Sequence, residues 1–281
     1  MFYLLRKPKG ISSFSCIRNF AKKMNIKKIG HSGTLDPLAS GLLLCASDED
    51  TKLISYISHK SKTYIAKIKF GQQTSTYDAE GEITNSSQVK ITSDDLEKIN
   101  NWFLEQNCQI PPIYSAKKIN GTRSYQLARD GKNVKLDNQN IKIYSSKILN
   151  FDYQKQELIV ELEVSYGTYI RSLSNDVGIA FNTYSYMSDL ERIKIGDLSI
   201  SNKTVEYCEV DKSNLFDIKF YCATEQEILD LKVGRIIESK KVLEDGKYLL
   251  VNKQKENSLI LGILESKDSK LKVIKLFGNR L

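Results

Sequence analysis

The chain predicts an α+β fold with a mixed, largely antiparallel sheet, followed by a small β-rich module. Two patterns carry the prediction. Strand-like segments come in runs broken by helices, without the strict alternation of a doubly wound fold. After about residue 224 the pattern changes to one short helix and several short strands. The length, 281 residues, suffices for one large domain plus a small one.

The elements follow in order. Residues 3–6 read as a short strand. Ser12 and Ser13 are N-cap candidates for a helix to about Met24, with Phe14, Ile17, Phe20 and Ala21 or Met24 on one face. The run Leu42-Leu43-Leu44-Cys45-Ala46 reads as a buried strand, and residues 48–57 as a helix. In residues 62–70, Tyr64, Ala66, Ile68 and Phe70 alternate with Lys67 and Lys69, the period of a half-buried strand. Thr92 with Asp95 predicts a capping box opening a helix to about Glu105, ended by Cys108-Gln109-Ile110-Pro111-Pro112. A helix over 124–130 stops at Gly131. Residues 141–151 and 158–164 are strands, Thr168 caps a helix to about Ala180, and 186–195 returns to the sheet. The tail carries a helix over 225–231, then strands near 248–251, 259–264 and 271–276.

Composition narrows the function. A hydrophobic fraction of 41% with 27% charged residues suits a soluble globular protein. No apolar run approaches a membrane span, and charge and proline come too early at the N-terminus for a secretory signal, so a cytoplasmic protein is expected. Five dispersed cysteines, without Cys-x-x-Cys spacing, argue for reduced thiols and against a zinc site. Neither His31 nor His59 has a ligand-spaced neighbour, so no metal is expected. The net charge of +8 is compatible with a polyanionic partner. It is concentrated at Lys22, Lys23, Lys27 and Lys28 and again at Lys117, Lys118, Arg123, Arg129, Lys132 and Lys135. Each cluster alone reads equally as a solvated face; their placement beside the segments discussed next points to nucleic acid.

The segment Gly30-His31-Ser32-Gly33-Thr34-Leu35-Asp36-Pro37-Leu38-Ala39-Ser40-Gly41 packs three glycines, one proline and one carboxylate into a dozen residues ahead of the apolar strand. Pro37 keeps Asp36 out of the helical region, and the strand that follows supplies a rigid support. An isolated Leu-Asp-Pro would be an ordinary turn; the density of special residues favours a reactive loop. This segment resembles the catalytic loop of the TruB family of tRNA pseudouridine synthases. The resemblance covers roughly residues 3–200. It implies a pseudouridine synthase catalytic domain over 1–223, with an RNA-clamping thumb about 108–136, and a small PUA-like RNA-binding domain over 224–281. It implies isomerisation of uridine-55 in the tRNA T-arm loop, with no cofactor, no metal and no obligatory protein partner.

By the same resemblance Asp36 is the catalytic residue, attacking the nucleotide or removing a ribose proton. Arg171, in Gly167-Thr168-Tyr169-Ile170-Arg171, pairs with it; a guanidinium beside a secluded carboxylate keeps it ionised and oriented. Tyr64, by pattern a core tyrosine, becomes a pocket residue that stacks on the base and moves a proton. Tyr169 and Leu190 match pocket positions, though each could equally be core filling, and His31 holds the opened RNA loop. Lys7, Lys9, Lys52, Lys117, Arg123 and Arg129 are the expected phosphate contacts. Three departures from the family pattern stand out. Arg6 replaces the usual Asp. Cys45 to Lys52 replaces a shorter, glycine-containing turn. Glu191 replaces an Arg, which removes one expected phosphate contact. Other readings are an RNA-binding protein whose chemistry is secondary or absent, a guide-RNA-dependent relative acting within a complex, and a ribosomal-RNA synthase. The last would usually carry Arg-Leu-Asp where this chain has Thr34-Leu35-Asp36.

Overall fold

The strand Ser40–Ser47 runs through the heart of the main sheet. Leu42, Leu43 and Leu44 are all essentially inaccessible, and each contributes roughly 1.5–3 kcal/mol by leaving water. A strand buried on both faces needs no alternation, which is why this run is continuously apolar. The computed structural model describes residues 1–58, 60–115, 117–119, 121–124, 126, 136–202, 204–212, 215–239, 242–252 and 259–281, the side chains of 118, 119, 122 and 123 excepted.

The sheet has the order Ile143–Asp152, Glu157–Val164, Lys62–Phe70, Ser185–Ile195, Ser40–Ser47, Phe2–Lys7, Tyr207–Val210, with Ile29–Ser32 paired on Ser40–Ser47. The first three junctions are antiparallel. The fourth is parallel, setting Glu191 opposite Ser40 and Arg192 opposite Gly41. The sheet is therefore mixed, as expected. Tyr64, Ala66, Ile68 and Phe70 all lie in the core with Leu158, Val160, Leu162 and Val164.

Two helices pack as their caps predict. Ser13–Lys23 begins where Ser12 Oγ accepts the Ser15 N–H at 3.0 Å. Ser93–Glu105 opens with the Asp95 carboxylate accepting from the N–H and hydroxyl of Thr92, at 2.9 and 2.8 Å. Several expectations need correction. Phe14 is exposed beneath the Arg18 guanidinium rather than facing the core. Residues Asp48–Tyr56 form a 3₁₀ helix, entered with Asp48 at a φ of 49°. Thr168 is not a cap: the helix is Ile170–Ala180 with Tyr169 at its N-cap, and Thr168 Oγ1 bonds Ser165 Oγ instead. The helix expected over 124–130 lies largely outside the described residues.

Contacts divide the chain into two compact units. One holds Tyr3–Cys45 and His59–Glu209; the other holds Met1–Phe2, Ala46–Ser58 and Val210–Leu281. The second unit contains a five-stranded sheet, ordered Lys219–Ala223, Gly246–Asn252, Ile260–Lys267, Lys270–Leu276, Ile237–Glu238. Its first strand, which precedes the domain boundary expected at 223, pairs in parallel with Gly246–Asn252. The helix Glu225–Lys232 covers this sheet through Ile228 and Leu231. Among the described residues no helix is long and apolar enough to cross a membrane.

Candidate active site

Asp36 follows the strand Ile29–Ser32 in a loop fastened from beneath. The Ser13 hydroxyl bonds both the N–H and the carbonyl of Leu35 at 2.8 Å, and Ala39 N–H closes a turn onto the Asp36 carbonyl at 3.1 Å. Lys7, expected on the RNA-facing surface, is fully buried. Its ammonium donates to the carbonyls of Pro8, Ile11 and Pro37 at 2.9, 2.7 and 3.3 Å. Three carbonyl acceptors satisfy an ammonium that has lost its water, so Lys7 secures the Asp36 loop and is not free for phosphate. Gly41, where this loop enters its strand, has a φ of 109°, and a Cβ there would lie 2.2 Å from the Arg192 carbonyl oxygen.

Arg171, the second residue of its helix, grips Asp36 with two nitrogens: Nε to Oδ2 at 3.0 Å and Nη2 to Oδ1 at 3.3 Å. Nη2 also donates to the Tyr114 carbonyl at 2.8 Å. Sequence reasoning missed the third member, Asp78, whose Oδ2 lies 3.3 Å from Arg171 Nη1. Asp78 sits between the strands Gln72–Thr74 and Ile83–Ser86, in a segment laid along Ser185–Ile195 by hydrogen bonds of Met187 with Tyr77 and Ala79. Its carboxylate also accepts from Thr76 Oγ1 at 2.5 Å and the Glu80 N–H at 3.0 Å. The signal available was a lone Asp ahead of Gly81, indistinguishable in sequence from an ordinary turn.

The two carboxylates differ in access. The Asp36 side chain is 35% exposed and that of Asp78 only 3%, so Asp36 can meet a substrate and Asp78 cannot. Burial pushes the Asp36 carboxyl above its ordinary range and Asp78 adds to this, while Arg171 and Lys7 oppose it. The expectation that Arg171 simply keeps Asp36 ionised is thus modified, because burial outweighs the guanidinium and Asp78 adds to the upward push.

Asp36 opens onto a cavity of about 480 Å³ that also takes in His31, Gly33, Lys62, Tyr64, Lys117, Tyr169, Arg171 and Leu190. That volume suits a small ligand or a single nucleoside. Tyr64 and Leu190 are buried in its wall. Tyr169 is half-buried, and burial raises its phenol. His31 is held below its usual range by burial and by Arg192, so its imidazole is neutral near pH 7.

Of the other phosphate candidates, Lys9 pairs with Asp189 at 2.6 Å, and Lys52, in the second unit, pairs with Glu49. The Arg123 side chain and Arg129 lie outside the described residues. Arg6 and Glu191, two of the departures from the family pattern, are partners at 3.3 Å. Each substitution supplies the opposite charge to the other, so Glu191 has an intramolecular role.

The mixed sheet thus carries the Asp36–Arg171 pair beside a cavity of nucleoside size. The fold matches a chain from an H/ACA RNP bound to a substrate RNA containing 2′-deoxyuridine, with a TM-score of 0.62 and 16% identity over 98% of this chain and 84% of that one. It also matches a chain of a Cbf5–Nop10–Gar1 complex, with a TM-score of 0.54 and 24% identity over 72% of this chain and 51% of that one. The family described as "TruB family pseudouridylate synthase (N terminal domain)" matches residues 21–170. The chain is 44% identical over its full length to the tRNA pseudouridine synthase B of Mycoplasmopsis pulmonis, covering 96% of that protein. It is 34% identical to that of Aquifex aeolicus over 94% of both. The chain belongs to the TruB family of pseudouridylate synthases.

Proposed function

We propose that this protein converts uridine-55 in the T-arm loop of tRNA to pseudouridine. The observation that carries the reading is the two-nitrogen grip of Arg171 on Asp36 where that carboxylate meets the cavity. Near-full-length similarity to proteins named tRNA pseudouridine synthase B supports tRNA as the substrate.

In this reading the uridine swings out of its stack and enters the cavity against Tyr64, Tyr169 and Leu190. Unstacking costs a few kcal/mol, which contacts in the cavity and His31 in the RNA loop offset. Asp36 initiates the reaction, as nucleophile or as base. The bond from C1′ to N1 breaks, the uracil turns, and a bond from C1′ to C5 forms. C5 loses a proton and N1 gains one, so nothing is oxidised or reduced overall. Tyr64 stacks on the base and serves proton movement. Arg171 orients Asp36, and Asp78 fixes the far side of the guanidinium. Lys9, Lys52, Lys117, Arg123 and Arg129 contact phosphates, and the second unit serves as a PUA-like RNA-binding module.

The test is pseudouridine mapping in a T-arm hairpin incubated with the purified chain and with Asp36→Asn. The wild type is expected to modify the loop uridine, and the variant to bind the hairpin without forming product. Hairpin binding without product by the wild type would instead support the binding-protein reading.

A further inference from the structure

Lys62, in the wall of the cavity, and Arg192, buried behind it, have no anionic partner among the described residues. Lys62 opens the strand Lys62–Phe70 and is buried, yet among the described residues no carboxylate pairs with it. Its ammonium faces the ring of Tyr166 at 4.6 Å. Arg192 is 1% exposed. Its Nε donates to the Leu42 carbonyl at 2.7 Å and its Nη2 to that of Gly33 at 2.9 Å. Its Nη1 is buried without a hydrogen-bond partner among the described residues. The two cations converge: a Cβ built on Gly33 would lie 2.7 Å from Lys62 Nζ and 3.6 Å from Arg192 Nη1. The neighbouring His31 has a buried Nδ1 that likewise has no hydrogen-bond partner among the described residues.

Burying like charges together without a counter-ion opposes folding. Lys62 is correspondingly pushed down to about 7 by burial and by Arg192. An arrangement that costs stability and leaves donors pointing at one place is what an anion seat requires. Lys62, Gly33 and His31 line the same cavity as Asp36 and Tyr64, so an anion there would sit within one nucleotide of the reacting carboxylate.

We propose that Lys62 and Arg192 form a phosphate seat, and that its occupant is a phosphodiester flanking the nucleoside that enters the cavity. The seat would lock the backbone of the swung-out nucleotide, complementing the base contacts of Tyr64. This deepens the function proposed above and rests on it.

The experiment uses three T-arm hairpins: one natural, and two with an uncharged methylphosphonate at either phosphate flanking the target uridine. Each is titrated with wild type, Lys62→Arg and Lys62→Met. The expected result is a roughly tenfold or larger loss of affinity for wild type at one of the two positions. At that same position Lys62→Met should lose no more than about twofold relative to its own binding of the natural hairpin, while Lys62→Arg behaves like wild type. Equal losses for all three proteins, or none at either position, would overturn the seat. Should Lys62→Met fail to fold, Lys62→Gln takes its place in the same comparison, with the same loss of no more than about twofold expected at that position. Stabilisation of wild type, but not of Lys62→Met, by millimolar inorganic phosphate without any methylphosphonate effect would assign the seat to a free anion and overturn the RNA assignment. Because these readouts are affinities, they stand even if no pseudouridine forms. Failure of the activity is then seen separately, in the mapping experiment.

Discussion

Replacing Lys62 with methionine should stabilise the RNA-free protein, and should do so more at pH 6 than at pH 9. The groups acting on the ammonium are the Arg192 guanidinium from the adjacent strand and the Tyr166 ring. Burial first, and then the Arg192 guanidinium, depress Lys62 from an ordinary 10.5 to about 7, while the facing ring favours the charged form. The folded state therefore binds fewer protons than the unfolded chain between about pH 7 and 10.5, and this group makes wild-type stability rise with pH across that window. At about 1.4 kcal/mol per unit, with partial titration near pH 7, the rise between pH 6 and 9 is about 3 kcal/mol. Methionine has similar length and no charge to bury, so its advantage over wild type should shrink by that amount over the same range. Urea denaturation at both pH values, followed through Trp102, measures it. This is the chain's single tryptophan, and it packs against the core of the unit containing Lys62. A constant gap, or one that widens toward pH 9, would refute the reasoning.

Three further outcomes follow from the same geometry. Asp78→Asn removes a like charge that raises the Asp36 carboxyl, so the acid limb of the rate profile should move to lower pH, with reduced activity as Arg171 loses its second anchor; an upward move would contradict the shared-guanidinium account. Gly41→Ala would press a Cβ to 2.2 and 2.6 Å from backbone atoms of Arg192 at a φ of 109°, and should cost about 3 kcal/mol or more in thermal or urea denaturation. Hairpin affinity should fall steeply with salt, with a log–log slope of several units; a flat dependence would count against the basic clusters as the RNA face.

Local patterns proved legible where one segment contained the whole explanation. The Ser12 cap, the Thr92–Asp95 box and the alternation at 62–70 each depend on neighbours a few residues away, and the structure reproduces them. The glycine-rich loop was legible for the same reason, since Pro37 restricts the backbone at Asp36 and Gly41 admits a φ of 109° that other residues avoid. Thr168 misled because a hydroxyl before a helix has more than one local partner, and Ser165 took it.

The sequence by itself determined the class of fold, the glycine-rich loop and the carboxylate at its turn, because dihedral preferences and apolar periodicity are written into the chain directly. Only the tertiary structure decided which charges serve as surface and which as framework. Lys7 and Lys9 are near neighbours in the chain, yet one is sealed under the Asp36 loop and the other pairs with Asp189 in partial contact with solvent. Asp78 reaches Arg171 from 93 residues away, and Arg6 meets Glu191 across 185. A charge in a sequence carries no record of its burial; that is set by strands pairing across long separations, and with it the chemistry each charged group can perform.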